Sequence, residues 1–150
     1  MEKSKLQSEI IRECVACVAA WNKDNWDQSV DIPYEDYANQ CYNYGGRKLA
    51  DQFDELSSQS SEDELQSFYS DLSFACEREN RGIRSAIGKR IESIRLQRGM
   101  TQQELATAAG ITKANVCRIE EGKYSVGLDV LDKIADALGI SLELNNIRAL

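Results

Sequence analysis

The sequence predicts an all-α protein in two parts, a small helical module over residues 1–80 and a second helical domain over residues 81–150. Three observations predict it. Apolar residues recur every three to four positions along most of the 150-residue chain, the spacing that keeps side chains on one face of a helix. Ser61 with Glu64, and Thr101 with Glu104, form capping boxes: the hydroxyl and the carboxylate three residues on satisfy each other's free backbone N–H groups, so a helix starts at each. Charge also divides the chain. Residues 1–80 hold 7 Lys+Arg against 17 Asp+Glu, a net −10, whereas residues 81–150 hold 11 against 8, a net +3.

The first helix follows from Leu6, Ile10, Cys14, Cys17 and Trp21, with Ile11, Val15 and Val18 beside them; it covers about residues 4–22. Residues 22–30 read as a loop. A second helix begins near Pro33, a residue suited to a first helical turn, and carries Tyr34, Tyr37, Cys41 and Tyr44 until Gly45-Gly46 breaks it. A third, over 47–57, buries Leu49, Phe53 and Leu56. After the polar SSQSSED connection, the helix capped at Ser61 buries Leu65, Phe68, Leu72, Ala75 and Cys76, and Gly82 marks a boundary or kink.

In the second half the stretch 101–122, TQQELATAAGITKANVCRIEEG, reads as two short helices joined by a tight turn. Thr101 caps the first, which places Leu105, Ala106 and Ala109 on one face. Ala106 must be small because the next helix crosses close above it. Gly110 suits the left-handed conformation that ends a helix, Ile111 plugs the core, and Thr112 caps the second helix, expected over 112–121. Val116 and Ile119 lie three apart on its buried face; Lys113, Ala114, Asn115 and Arg118 occupy the other, and Gly122 closes it. Such a unit places its second helix in the major groove of DNA. Helices at about 83–98 and 128–138 supply the scaffold, with Ile87, Ile91, Ile94, Leu131, Ile134 and Leu138 completing the core. Ile140, Leu142 and Leu144 then alternate with polar residues, so 140–146 forms either a strand or a fifth helix.

Residues 83–144 resemble the helix-turn-helix domain of the Cro and lambda-repressor-like (XRE) family, through IGKRIESIRLQRGMTQQELA, AAGITKANVCRIEEGKYS and LDVLDKIADALGISLEL. Gln102, Ala106, Gly110, Val116 and Ile119 all fall in register. The resemblance implies a lambda-repressor-like five-element helix-turn-helix domain preceded by a separate small helical module. It implies that Lys113, Ala114 and Asn115 face base edges, that Arg118 reaches a base or a phosphate, and that Arg95 and Glu120 form an ion pair between the first and third helices. Lys113 serves a phosphate equally well, and Gln102 at the positive end of its helix, Thr112 and Lys123 are expected to meet phosphates. One departure stands at the fourth helix, where Gly127 takes the place of the family's usual Ser or Asn cap.

Several other features have plainer readings. Cys14, Cys17, Cys41, Cys76 and Cys117 are odd in number, so free thiols are expected. A zinc site would need Cys41 and Cys76 to converge on the Cys14-x-x-Cys17 pair; buried thiols acting as small hydrophobes are the expectation, with no metal and no cofactor. Cys117, partly outward on the second helix of the unit, invites a redox reading that nothing nearby supports. YNYGGRK lacks the spacing and preceding strand of a phosphate loop and reads as a turn. Tyr34, Tyr37, Tyr42 and Tyr44, with Trp21 and Trp26, can stack bases or line a ligand pocket, but their helical spacing points to packing. Glu62-Asp63-Glu64 reads as a solvated first turn. With no histidine and no recognisable catalytic set, an enzyme is not expected. The charged N-terminus and the lack of a long apolar run predict a soluble, cytoplasmic protein.

Together these features predict a sequence-specific transcriptional regulator, most simply a repressor, that binds a palindrome-like operator in double-stranded DNA as a homodimer. The acidic module, repelled by phosphates, must point away, meet another partner or regulate the basic half. The alternative is an antitoxin-like interaction factor whose acidic module binds a partner protein and whose DNA binding is autoregulatory.

Overall fold

The computed structural model describes residues 2–24 and 30–142, and among them it contains eight α-helices and no strand. They are α1 (Lys3–Asp24), α2 (Tyr37–Tyr44), α3 (Arg47–Gln59), α4 (Glu62–Arg81), α5 (Ile83–Gln97), α6 (Gln102–Ala109), α7 (Lys113–Glu120) and α8 (Leu128–Leu138). A single 3₁₀ turn over Tyr34–Asp36 precedes α2. The chain divides into two compact units, residues 1–86 and 87–150, with the division inside α5.

In the first unit α1 packs on α3 and α4, and α2 closes over them. Leu6, Ile10, Cys14 and Val18 step along α1 by four and are fully buried. They meet Tyr37 and Cys41 of α2, Leu49, Phe53 and Leu56 of α3, and Phe68, Leu72 and Cys76 of α4. Helix α1 runs two residues beyond its expected end. The helix expected from Pro33 begins instead as the 3₁₀ turn, with Asp36 N–H donating to the Pro33 carbonyl at 2.9 Å. Leu65 and Ala75 of α4 are half-buried rather than buried. Ser61 and Glu64 form the expected capping box, and Glu64 also takes Lys3 Nζ at 2.8 Å. Gly45 ends α2 and Gly46, at φ 100, leads into α3, so YNYGGRK is a turn between two helices.

Polar residues pin this unit together. Glu77 is fully buried on α4; Tyr37 Oη donates to its Oε1 at 2.7 Å, and Arg81 Nη1 reaches both carboxylate oxygens, Oε1 at 2.5 Å and Oε2 at 3.1 Å. Asn80 Nδ2 donates to Tyr37 Oη and to the Val30 carbonyl, and Asn22 Nδ2 donates to Asn80 Oδ1. Burying a carboxylate is tolerable only when its lone pairs are filled: Tyr37, Arg81 and Ser85 Oγ, the last at 3.4 Å, donate to Glu77, while the Ile32 carbonyl accepts from Arg81 and holds it in place. Trp26 lies outside the described residues.

The second unit builds its core from Ile91 of α5, Leu105, Ala106 and Ala109 of α6, Val116 and Ile119 of α7, and Ile134 and Leu138 of α8. Ile87, Ile94, Ile111 and Leu131, all expected there, pack against it half-buried. Gly139, in the left-handed conformation, ends α8, and Arg98 Nε donates to the Leu138 carbonyl at 3.0 Å. Helix α8 starts at Gly127 without a side-chain cap. The fifth element expected at 140–146 lies for the most part outside the described residues, which end at Leu142.

Candidate nucleic-acid interface

Helices α6 and α7 and the turn between them are built almost wholly by local chemistry. Thr101 Oγ1 accepts from Glu104 N at 3.1 Å while Glu104 Oε1 accepts from Thr101 N at 3.4 Å, which starts α6. Gly110 adopts φ 69 and ψ 32 and ends it, a conformation that costs glycine nothing and a β-carbon much more. Two residues later Thr112 Oγ1 accepts from Asn115 N at 3.1 Å and starts α7. The gap between the helices is Gly110–Thr112, short enough to fix their crossing.

The crossing is held by an ion pair. Arg95 Nε donates to Glu120 Oε1 at 2.6 Å and Arg95 Nη2 to Glu120 Oε2 at 3.1 Å, a two-pronged contact between α5 and the end of α7. Arg95 Nη1 also donates to the Met100 carbonyl at 2.8 Å, and Gln102 Nε2 donates to Glu120 Oε2 at 2.8 Å. The Arg95 pKa is raised above its ordinary value, chiefly by the hydrogen bond to Glu120, so the guanidinium stays charged. Gly88 of α5 allows a further close approach. A β-carbon there would sit 2.2 Å from the Ile119 carbonyl oxygen and 2.9 Å from that of Glu120.

With Val116 and Ile119 turned inward, α7 presents its other face to solvent: Lys113, Ala114 and Arg118 are exposed and Asn115 is half-buried. Neither Lys113 nor Arg118 makes an ion pair among the described residues. Lys123, beyond the helix, is exposed and touches Glu121 at 3.2 Å.

A family model for helix-turn-helix domains matches residues 91–145, which span α6, the turn and α7. An uncharacterized HTH-type transcriptional regulator of Methanothermobacter thermautotrophicus is 41% identical over 49 residues, covering 33% of this chain and 71% of the relative. The chain belongs to the helix-turn-helix family. The C-terminal unit therefore has the all-α lambda-repressor-like fold. The immunity repressor protein of Bacillus phage phi105 is 38% identical over 56 residues, 37% of this chain and 39% of that protein. The HTH-type transcriptional regulator PuuR of Escherichia coli is 37% identical over 57 residues, 38% of this chain and 31% of its own length. The chain thus spans 31% to 39% of the length of these two relatives. No solved structure matches it.

The helix-turn-helix unit brings Lys113, Ala114, Asn115 and Arg118 together on one helix. Gln102, Thr112 and Lys123 sit at the N-terminus of α6, the N-terminus of α7 and the loop after α7. The Gln102 amide is already engaged with Glu120, a bond that sequence reasoning missed. Its signal was available, since Gln at the first position of α6 is short enough to lean on a carboxylate at the crossing helix. Cys117 Sγ donates to Glu121 Oε1 at 3.5 Å, and that bond, with burial, pushes its thiol pKa up. A raised pKa leaves less thiolate, which argues against a redox role.

Cys14, Cys41 and Cys76 do converge in the first unit, with Cys17 packed against the same core. Hydrogen bonding to Cys41, then burial, pushes the Cys14 and Cys76 pKa values up. Among the described residues no group of three or more His, Cys, Asp or Glu side chains is arranged to hold a metal ion. No helix of the described residues is long and apolar enough to cross a membrane.

Proposed function

We propose that this protein is a sequence-specific DNA-binding transcriptional regulator that lays α7 in the major groove. The observation that carries the reading is the split of α7 into a buried apolar face and an exposed face with two uncommitted cations, Lys113 and Arg118, on either side of Ala114 and Asn115. Relatives named as transcriptional regulators and as an immunity repressor agree with it.

Each exposed residue has its own chemistry. Arg118 can bond bidentately to guanine O6 and N7, Asn115 to adenine N6 and N7, and Ala114 packs on a thymine methyl; Lys113 serves a base or a phosphate. The start of α6 faces the phosphate backbone with free N–H groups and the positive end of its dipole. Thr112 caps α7 with its oxygen, which leaves the hydroxyl proton to donate to a phosphate. Gln102 keeps a second amide proton after bonding Glu120. Lys123 meets backbone and sets register. One such unit reads few base pairs, so the protein works as a homodimer with its two reading helices about 34 Å apart on a palindromic operator. Binding there excludes other proteins from the promoter, which makes it a repressor.

A second reading rests on the net −10 of residues 1–80, which phosphates repel: an antitoxin-like factor whose acidic half holds a basic partner protein. Selection of bound sites from random duplex DNA by the full chain tests the first reading. Enrichment of a palindrome with half-sites one helical turn apart is expected, and recovery of unselected sequence refutes it.

A further inference from the structure

The first unit carries a cleft of about 250 Å³ between the 3₁₀ turn, α2, α3 and α4. Glu35, Asp54 and Ser57 line it with Ala38 and Asn39, and three aromatic residues, Tyr42, Phe53 and Tyr69, form its walls. The walls are ordered by their own contacts. Tyr42 meets Phe53 edge to face, with ring centroids 6.0 Å apart, and Tyr42 Oη donates to Asp54 Oδ1 at 3.0 Å. Tyr69 leans on Phe68 with centroids 5.7 Å apart. Neither Glu35 nor Asp54 has a cationic partner among the described residues.

We infer that this cleft binds an organic cation, an alkylguanidinium or alkylammonium group the size of an arginine or lysine side chain. The volume lies below the range of drug-sized pockets and suits one such chain. Aromatic faces attract the cation through their quadrupoles and cover its aliphatic stem, while carboxylates supply the counter-charge and accept its N–H groups. Glu35 and Asp54, both exposed at the rim, repel an anion, and a neutral group gains no counter-charge attraction from them. The net −10 of residues 1–80 concentrates cations near the opening. The cation is either a free small molecule or a side chain of a basic protein. The inference does not rest on the DNA-binding reading.

The test follows the ring ¹H–¹³C resonances of Tyr42, Phe53 and Tyr69 in the full chain during titration with butylguanidinium, or with its neutral isostere N-butylurea. Saturable shifts of all three rings in the millimolar range are expected for the cation, with affinity about tenfold weaker for the urea and about tenfold weaker for the cation against Asp54→Asn. Asp54 is exposed, so the variant keeps its fold, and unchanged Tyr37 resonances verify that. Glu35→Gln should weaken binding in the same direction. Rings that do not move, equal response to the urea, or wild-type affinity in Asp54→Asn each overturn the site. A blocked Gly-Arg-Gly peptide binding about tenfold tighter than butylguanidinium supports a protein source, and equal affinity supports a free cation; both results uphold the cleft.

Discussion

Arg95 and Glu120 meet at 2.6 Å across 25 residues of sequence, with Glu120 only 2% exposed and Arg95 8%. A buried carboxylate with two donors from one guanidinium is secure; without them only the Gln102 amide is left to hold a charge in an apolar core. Arg95→Ala is therefore expected to destabilise the second unit by about 3–5 kcal/mol. Urea denaturation followed by circular dichroism measures it, and an unchanged midpoint contradicts the role assigned to the pair.

Gly88 lies against the last carbonyls of α7. Gly88→Ala ordinarily favours a helix, yet here the added methyl has backbone in its way, which cannot move as a side-chain tip can. A net loss of about 1–3 kcal/mol is expected. A rise in melting temperature would show that α5 and α7 have slack at this point.

Arg118→Ala removes an exposed cation with no ion-pair partner among the described residues, so the fold should be indifferent. Operator affinity should fall by about 1–3 kcal/mol, with preference relaxed at one base position. Binding to a panel of single-base operator variants decides it; wild-type affinity and preference would remove Arg118 from the base-reading set.

Lys123→Ala should behave differently. A phosphate contact carries no sequence information, so affinity should drop evenly across the panel, and the slope of log K against log salt should shrink by about 1. Loss confined to one base position would reassign Lys123 to base reading.

Tyr37→Phe tests the polar cluster of the first unit. It removes a donor to the fully buried Glu77 and an acceptor for Asn80 while keeping the ring in the core. The expected cost is about 1–3 kcal/mol in denaturant unfolding. No change would mean that Arg81 and Ser85 satisfy Glu77 without the phenol.

The helices of the second unit were legible because their signals are local. Thr101 with Glu104, Gly110 and Thr112 each decide one helix end within four residues, and the structure places those ends at Gln102, Ala109 and Lys113. The exposure of Lys113, Ala114 and Arg118 follows from the three-residue spacing of Val116 and Ile119. Glu77 and Asn80 were not legible. On α4 they look like any polar helix surface, and their burial depends on partners distant in sequence, among them Tyr37 and Val30, 40 and 50 residues away. The convergence of Cys41 and Cys76 on Cys14 was undecidable for the same reason, since it depends on how α1, α2 and α4 pack. Gly88 did carry a signal, a glycine inside a helical run, whose meaning needed the α7 carbonyls opposite it.

That same glycine makes the pose of α7, the helix proposed to read DNA, hostage to a position outside the proposed contact residues. A genetic screen for lost promoter control would gather lesions at codon 88 beside those at codon 118. The first kind would disturb aim and the second grip, and because backbone carbonyls face codon 88, no smaller side chain on the rear of the rod could rescue the first.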